Sequence, residues 1–415
     1  MGTKSNTLLI IGLVWPEPST TAAGGRMLQL IDFFRTQNYK ITFVSTAAKS
    51  QYSFDLTALG IKMDHIKLND SSFDDFVKIL NPSIVLFDRF LTEEQFGWRL
   101  AECVPNAVRI LDTEDLHSLR QIREKCYRTN QEFTTTCWMQ SNMTKREIAS
   151  IFRCDLSLII STFEMHLLLN VIRIDNSLLL HLPFQLDKID SERLGSWPGF
   201  NARKDFICIG NGKHAPNIDA IVWLKKEIWP LIRKSLPNIN LHVYGSYLPG
   251  QVQQMHNPKE GFHIVGWVEN VHKVMRQSRI NLAPLRFGAG IKGKLITAMQ
   301  CGTPSITTPI GAEGMHSDLP WCGWVTDSAE NFANAAVGLY NEAADWRQAQ
   351  ENGVDIINTF YDGKILDTRL TDKILFLRSD LKGHRDSNFL GALISYETMA
   401  STKYMSRWIE EKNRD

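Results

Sequence analysis

A short segment between residues 280 and 301 combines the residue types that bind phosphate groups. Its apolar start, Ile280–Ala283, predicts a β-strand, and its end, Leu295–Cys301, predicts an α-helix. The connecting loop carries three glycines and two lysines: Gly288, Gly290, Gly293, Lys292 and Lys294. Glycine lets backbone N–H groups approach a ligand closely, and a helix N-terminus adds unpaired donors and the positive end of a dipole. This combination suits a diphosphate.

A plain strand-to-helix turn is the alternative interpretation of this loop. The two lysines favour anion binding, because a structural turn needs no pair of cations beside a helix N-terminus. Residues 288–293 also fit the dinucleotide pattern G-x-G-x-x-G, but they lie far from the first strand, where the dinucleotide fold carries that pattern. We therefore interpret the loop as an anion site.

Several other polar or glycine-bearing loops follow predicted strands, where open α/β sheets bind ligands. Gly24 and Gly25 directly precede the first predicted helix and offer a second phosphate contact. Lys213 follows a strand and is flanked by glycines, which also suits a phosphate contact. Glu313 lies in a second glycine turn, where it either binds a hydroxyl of the ligand or occupies the first turn of a helix.

The composition limits the classes of protein to which the chain can belong. Its 415 residues, 43% hydrophobic content and formal net charge of +1 indicate a globular protein of two domains, and the balanced charge argues against nucleic-acid binding. The seven cysteines form no C-x-x-C pair, which indicates a reducing compartment and no zinc site. No D-x-D triplet is present to clamp a metal ion on a diphosphate. We predict no metal and no cofactor.

The apolar segments are too short to span a membrane, because none reaches the roughly 18 residues that a spanning helix requires. The segment Thr7–Trp15 could belong to a signal peptide. It is short, however, and the residues Pro16-Glu17-Pro18 interrupt it, so a first β-strand is the better interpretation. We predict a cytoplasmic protein.

Short apolar strands alternate with amphipathic helices along most of the chain. The first series extends from Leu8–Val14 to Ser177–Leu182, and the alternation restarts at Asp205–Ile209. Such strands are typical of a parallel sheet covered on both faces. We predict an α/β protein of two doubly wound, Rossmann-like domains. The predicted parts are residues 1–185, a linker of residues 186–204, a second domain of residues 205–382, and a helical segment of residues 383–415.

Four motifs follow one another in the second half of the chain. They are Pro216-Asn217 with Asp219-Ala220, the loop Pro284–Lys294, the turn Cys301–Pro304, and the segment Thr308–Gly314. In type and order these motifs resemble the carboxyl-terminal half of retaining glycosyltransferases of family 4. The first half resembles the family in its organisation and in its early glycine pair. The resemblance implies the GT-B fold, with two domains facing across a cleft and a last helix, Phe389–Lys412, that crosses back to the first domain.

The resemblance also implies a reaction. A nucleotide-sugar donor binds the second domain, an acceptor binds the first, and no metal is needed. The sugar leaves its diphosphate through an oxocarbenium-like state while negative charge grows on the phosphate. Lys292, Lys294 and Lys213 would stabilise that charge together with the helix N-terminus, and the departing phosphate would assist removal of the acceptor proton. Gly290 and Ile291 would contribute further donor contacts.

A histidine in this family often contacts the donor sugar, and His117 follows the predicted strand Val108–Leu111 in the matching region. We predict His117 as a catalytic residue, with Asp115 as its orienting partner or as an acceptor ligand. The alternative is a solvated acidic loop that begins the next helix.

Three other groups of charged residues receive structural interpretations. The basic residues after His117 are predicted to form a solvated helix face, although they could also meet an anionic acceptor or a membrane surface. They are Arg120, Arg123, Lys125 and Arg128. Asp88 and Arg89 follow the predicted strand Ile84–Phe87 and are candidates for the edge of the cleft, but a surface ion pair is the preferred interpretation. Glu164 is predicted to help begin a helix.

The chain departs from the family pattern at Thr297. The family usually carries two glutamates eight positions apart, of which the second holds the ribose hydroxyls of the donor. In this chain the two positions are Ala289 and Thr297. Threonine still forms a hydrogen bond, but a charge-assisted contact is about twice as strong as a neutral one.

We therefore predict a glycosyltransferase that moves a sugar from a nucleoside-diphosphate sugar to an acceptor with retention at the anomeric carbon. The acceptor is a glycan, a lipid or a small molecule. The alternative, motivated by Thr297, is a catalytically silent sugar-nucleotide-binding protein or partner subunit.

Overall fold

The computed structural model describes residues 6–413, with the backbone alone at residues 398 and 399. Residues 1–5 and 414–415, which belong to the predicted first and last parts of the chain, lie outside the described residues. The described chain forms two fully parallel sheets of seven and six strands, with helices on both sides. The predicted pair of doubly wound domains is confirmed.

The first sheet has the strand order β3-β2-β1-β4-β5-β6-β7. Its strands are β1 (Thr7–Gly12), β2 (Lys40–Ser45), β3 (Lys62–His65), β4 (Ile84–Asp88), β5 (Val108–Asp112), β6 (Leu156–Ile159) and β7 (Leu179–His181). The helices that connect them are α1 (Ala22–Thr36), α2 (Ser72–Leu80), α3 (Phe90–Cys103), α4 (His117–Arg128), α5 (Thr135–Gln140), α6 (Asn142–Arg153) and α7 (Thr162–His166).

Alternate residues of the central strands enter different cores. On β1, Leu8 and Ile10 pack on one side of the sheet, whereas Leu9 and Ile11 pack on the other. All four side chains are fully buried, because successive residues of a strand point to opposite faces and helices cover both. This is why the strands appear in the sequence as continuous apolar segments.

The second sheet has the strand order β10-β9-β8-β11-β12-β13. Its strands are β8 (Lys204–Ile209), β9 (Leu241–Tyr244), β10 (Phe262–Gly266), β11 (Ser278–Ala283), β12 (Ser305–Thr307) and β13 (Gly323–Val325). A short helix, α8 (Ser191–Gly195), lies in the predicted linker. The remaining helices of this half are α9 (Ala215–Trp223), α10 (Trp229–Ser235), α11 (Gly250–Gln253), α12 (Val271–Gln277), α13 (Gly293–Gln300), α14 (Pro309–Ala312), α15 (Ala329–Asn341) and α16 (Ala343–Phe360).

The end of the chain returns to the first domain. Its helices are α17 (Gly363–Ser379), α18 (Leu381–Ser387), α19 (Phe389–Ile394) and α20 (Ala400–Lys412). Leu366, Leu370, Ile374 and Leu377 of α17 enter one core of the first sheet. Further on, Arg385 binds Asp155 with two hydrogen bonds. Helix α17 therefore packs on the first domain, although it lies within the sequence range predicted for the second.

Two edge strands, β3 and β13, are the ones that the sequence did not indicate. Three of the four residues of β3 are polar or charged, and β13 has only three residues. Neither strand therefore offers an apolar run long enough to be recognised in the sequence.

Among the described residues, no helix is both long and apolar enough to cross a membrane.

Candidate functional site

The carboxyl ends of the two sheets face one another across a cleft of about 800 Å³. Loops that follow β1, β4 and β5 line one side, and loops that follow β8, β9 and β11 line the other. This is the edge at which open α/β sheets bind ligands. The predicted phosphate residues Lys213, Lys292 and Lys294 all line the cleft, as does His117.

Lys292 and Lys294 occupy the start of helix α13. The Lys292 Nζ donates to the backbone oxygen of Gly290 at 2.6 Å, and the Lys294 Nζ donates to the Asn217 Oδ1 at 2.7 Å. Burial lowers the pKa of each ammonium group to about 8. Because an ammonium group has three N–H donors, each lysine keeps donors for a ligand in the cleft.

Two helix N-termini meet at the centre of the cleft, one from each domain. Helix α13 begins at Gly293 and helix α1 begins at Ala22. A Cβ atom placed on Gly293 would lie 2.3 Å from the Ala22 Cβ, so only glycine permits this approach. Within the described chain, the N–H groups of Gly293 and Lys294 have no hydrogen-bonding partner. The positive ends of two helix dipoles and two ammonium groups therefore converge, which favours an anion between them.

Gly24 and Gly25 lie within the first turn of α1, so the prediction that they precede the helix is wrong. Thr21 caps this helix with its side chain and accepts a hydrogen bond from the Gly24 N–H at 3.0 Å. The Gly25 N–H donates to the Thr21 backbone oxygen at 3.3 Å. Both glycines line the cleft, but their N–H groups are already bonded. The N–H groups left open at this helix, within the described residues, are those of Ala22 and Ala23.

Gly290 presses directly against the first domain. Its φ is +62°, and a Cβ atom there would lie 2.7 Å from the Asp115 Cβ. Its N–H donates to the Glu164 Oε1 at 3.0 Å, and the same oxygen accepts from the Leu116 N–H at 2.9 Å. The prediction that Glu164 helps begin its own helix is therefore wrong, because the carboxyl group joins the two domains. Burial raises its pKa to about 8.

Arg123 forms a second link between the domains. Its guanidinium donates to both carboxylate oxygens of Glu313, at 2.7 and 2.8 Å, and to the Gly288 backbone oxygen at 2.9 Å. The rings of Phe133 and Phe163 lie 5.1 and 4.9 Å from the guanidinium carbon. The prediction of a solvated helix face is wrong for this residue, whose side chain is 6% exposed. The predicted hydroxyl contact of Glu313 does not fit this arrangement either, because Arg123 holds both oxygens outside the cleft.

His117 and Asp115 lie together as predicted from the sequence pattern. The His117 Nε2 is 3.4 Å from the Asp115 Oδ1, and Glu147 accepts a hydrogen bond from the His117 backbone N–H at 2.8 Å. Burial lowers the pKa of His117 to about 4, against the opposing effect of Asp115. Burial would raise the pKa of Asp115, but the charge of Arg120 and, in acid, that of the protonated His117 lower it to about 2. His117 is therefore a neutral imidazole beside an ionised carboxylate.

Lys213 is held at the cleft by residues that the sequence patterns did not indicate. Its Nζ lies 3.6 Å from the ring centroid of Tyr247, whose hydroxyl donates to the Glu17 Oε2 at 3.1 Å. Tyr247 has a φ of +56°, which is unusual for a residue with a side chain. Glu17 belongs to the first domain and Tyr247 to the second, so this contact also spans the cleft. No local sequence signal marks such a pair.

Thr297 lies on the wall of the cleft within α13, as does Ile291 just before the helix. In the described part of the chain, the Thr297 hydroxyl has no hydrogen-bonding partner. The position that carries a glutamate in the family pattern therefore still presents a polar group to the cleft.

Asp88 is buried and Arg89 is partly buried, so the predicted surface ion pair is wrong. Asp88 is 4% exposed, and its Oδ2 lies 3.7 Å from the Arg89 guanidinium. Both residues line the cleft because β4 ends beneath it.

The arrangement defines a class of protein. Two Rossmann-like domains that face one another across a cleft, with a glycine- and lysine-bearing loop of the second domain in its wall, form the GT-B fold of glycosyltransferases. The solved structures that share this fold include the following three. Sucrose-phosphate synthase from Thermosynechococcus elongatus has a TM-score of 0.66 at 13% identity, over 90% of this chain and 99% of that chain. HepE from Anabaena in complex with UDP-glucose has a TM-score of 0.65 at 12% identity, over 89% and 100%. A glycosyltransferase from Rickettsia africae has a TM-score of 0.62 at 12% identity, over 92% and 100%.

A family model matches part of the second domain. Residues 203–342 match the family model described as glycosyl transferases group 1. This match and the fold confirm the resemblance to GT-B glycosyltransferases that the motifs indicated. No curated protein sequence matches the chain.

Proposed function

We propose that this protein transfers a sugar from a nucleoside-diphosphate sugar to an acceptor hydroxyl, with retention at the anomeric carbon and without a metal ion. The observation that carries the proposal is the meeting of two helix N-termini with Lys292 and Lys294 in one cleft. The positive ends of these two helices and the two ammonium groups repel one another in this partly enclosed space unless an anion lies between them. A diphosphate has the charge and the size for this place.

In the proposed reaction, the bond between the anomeric carbon and the diphosphate oxygen breaks, and both electrons leave with the phosphate. Lys292, Lys294 and the open N–H groups of α13 stabilise the charge that grows on that oxygen. Lys213 approaches the same ligand from the loop after β8, on the same side of the cleft. The acceptor oxygen then bonds to the anomeric carbon from the same face, and its proton passes to the departing phosphate.

His117 contacts the donor sugar in this proposal. A neutral imidazole has one N–H donor and one acceptor nitrogen. The His117 Nε2–H faces the Asp115 carboxylate, which holds the ring, so the Nδ1 accepts a hydrogen bond from a sugar hydroxyl. Because the positive charge is absent, the imidazole does not repel an oxocarbenium-like sugar. We assign it a binding and orienting contact near the reacting carbon.

The similar structure of HepE contains UDP-glucose, which makes this donor the first to test. Purified protein is incubated with a set of nucleotide sugars, and binding and release of nucleotide are measured by calorimetry and mass spectrometry. We expect binding of at least one nucleotide sugar.

Lys292→Ala with Lys294→Ala should lower kcat/KM by about 100-fold or more. The matched control is Lys226→Ala with Lys259→Ala, since both of these lysines are exposed. Failure to bind or to cleave any donor contradicts the proposal.

A catalytically silent sugar-nucleotide-binding protein or partner subunit is the second candidate, and Thr297 is the observation that favours it. The variant Thr297→Glu distinguishes the two. A silent protein should gain turnover from near zero when the carboxylate is present, whereas robust turnover of the natural chain excludes this candidate. We further propose that the acceptor is a glycan, a lipid or a small molecule, and that the protein acts in the cytoplasm without a cofactor.

A further inference from the structure

Two residues at neighbouring strand ends have an unusual backbone conformation. Arg89 follows β4 with a φ of +69°, and Glu114 follows β5 with a φ of +60°. Residues with large side chains rarely adopt positive φ, and such conformations persist mainly where function requires them. Both residues line the cleft on the side of the first domain.

Glu114 is a buried acid without a partner. It is 8% exposed, and its buried Oε1 accepts no hydrogen bond. No hydrogen bond or ion pair of its side chain occurs in the described part of the chain. Burial and then the charge of Asp112 raise its pKa to about 8, while Arg89 and Arg26 act in the opposite direction. Leaving such a group unpaired costs stability, so a ligand is the simplest reason for its presence.

The charged neighbours of Glu114 are already engaged elsewhere. Arg26 and Asp112 form a fully buried ion pair at 2.9 Å. Asp88 accepts a hydrogen bond from the Leu13 N–H at 3.0 Å. The Arg89 guanidinium has only the longer contact of 3.7 Å with Asp88, and no hydrogen bond from it occurs among the described residues. Glu114 and Arg89 therefore remain as an unpaired acid and an underused cation in one wall of the cleft.

The chemistry of this pair selects a class of ligand. A pKa of about 8 leaves Glu114 mainly protonated at neutral pH. A phosphate or carboxylate group would suit Arg89 but would be repelled by the ionised Asp115 in the same wall of the cleft, and an ammonium group would be repelled by Arg89. An alcohol satisfies both residues, because its lone pairs accept from the guanidinium and from the carboxyl O–H, and its O–H donates to the other carboxyl oxygen.

We propose that Glu114 and Arg89 bind a hydroxyl group of the sugar acceptor, and that the acceptor is a neutral polyhydroxylated molecule at this point of contact. The proposal rests on the proposed function, because it places the acceptor opposite the diphosphate site of the second domain. It assigns these two residues to acceptor binding, apart from the donor contacts of His117 and the lysines.

The first test uses methyl α-glucoside and glycerol as probes. Their binding to the protein with UDP bound is measured by saturation-transfer NMR, for the natural chain and for Glu114→Met, Arg89→Met and Glu114→Gln. Methionine has nearly the shape of glutamate without its hydrogen bonds. We expect each methionine variant to weaken probe binding by about 10- to 100-fold, whereas Glu114→Gln should preserve part of the binding because an amide oxygen still accepts. The matched control is Glu132→Gln, an exposed acid away from the cleft.

The second measurement separates binding from structure. Thermal unfolding at pH 9 should show that Glu114→Gln is at least as stable as the natural chain, because it removes a buried charge. A purely structural role would instead make every Glu114 variant less stable. UDP affinity should stay within about twofold in all the variants, since the donor side is untouched.

The outcomes are distinct. If neither probe binds the UDP-loaded natural chain, or if the methionine variants bind the probes as well as Glu132→Gln does, the acceptor assignment is wrong. If the natural chain binds no nucleotide sugar at all, the proposed function fails instead. Normal UDP binding combined with selective loss of probe binding in both methionine variants supports the assignment.

Discussion

Arg123 of helix α4 and Glu313, directly after helix α14, form a two-bond ion pair between the two domains, with N–O distances of 2.7 and 2.8 Å. The same guanidinium binds the Gly288 backbone oxygen in the predicted phosphate loop. One side chain of the first domain therefore holds the loop of the second domain that would bind the donor. Donor binding and domain closure should be coupled through this contact.

The variant Arg123→Met should remove the ion pair with Glu313 and the hydrogen bond to Gly288. Removing one partner of a buried ion pair leaves the other charge unpaired, which typically costs about 3–5 kcal/mol. We expect a lower free energy of unfolding in urea and a weaker affinity for UDP. The matched control is Arg128→Met, because Arg128 lies on the same helix and forms an exposed pair with Glu124. Equal behaviour of the two variants would contradict the coupling.

UDP affinity should fall as the pH rises through about 8. Burial lowers the pKa of Lys292 and of Lys294 to about 8, so both are charged below this pH and become neutral above it. A charged lysine attracts the diphosphate, and binding should therefore take up protons near pH 8. Calorimetry in buffers of different ionisation enthalpy measures this uptake. The double variant Lys292→Ala with Lys294→Ala should show a flat profile, and a natural chain with the same flat profile would refute the assignment.

The variant Gly290→Ala should disrupt the donor loop. Its φ of +62° disfavours any side chain, and the added Cβ would lie 2.7 Å from the Asp115 Cβ. We expect a loss of stability of about 1–3 kcal/mol and a weaker affinity for UDP. Gly338→Ala serves as the control, because this helical position has open space around it and should be stabilised by about 0.4–1 kcal/mol. Two variants of equal stability would be inconsistent with the loop geometry.

His117→Gln should lower kcat by about 10- to 100-fold if His117 contacts the reacting sugar. The pH profile of the natural chain should show no step near pH 6.5 from this residue, because burial lowers its pKa to about 4 and keeps it neutral. His166→Gln, at an exposed position, provides the comparison. A step near pH 6.5 that disappears in His117→Gln would show that the imidazole is charged and would overturn its assigned state.

The fold and part of the site could be predicted from the sequence, and the reason is physical. Strands such as β1 are buried on both faces and appear as apolar runs, whereas the polar edge strand β3 has no such signal. The site residues Lys292, Lys294 and His117 could be predicted because they follow strands, and the ends of parallel strands share one edge of a sheet. The contacts of Arg123 and Glu164 and the burial of Glu114 could not be predicted, because the contacts depend on partners more than 25 positions away and burial depends on the packing of the whole chain.

The alternation of strands and helices, the two parallel sheets and the glycine and lysine loop before α13 could be inferred from the amino-acid sequence alone. These features depend on local periodicity and on neighbouring residues. The three-dimensional fold was needed to show which charges are buried, which of them meet across the cleft, and that two helix N-termini face each other. Burial and long-range approach arise from packing of the whole chain, and the identity of a single residue does not reveal whether its charge lies in water or beside an opposite charge.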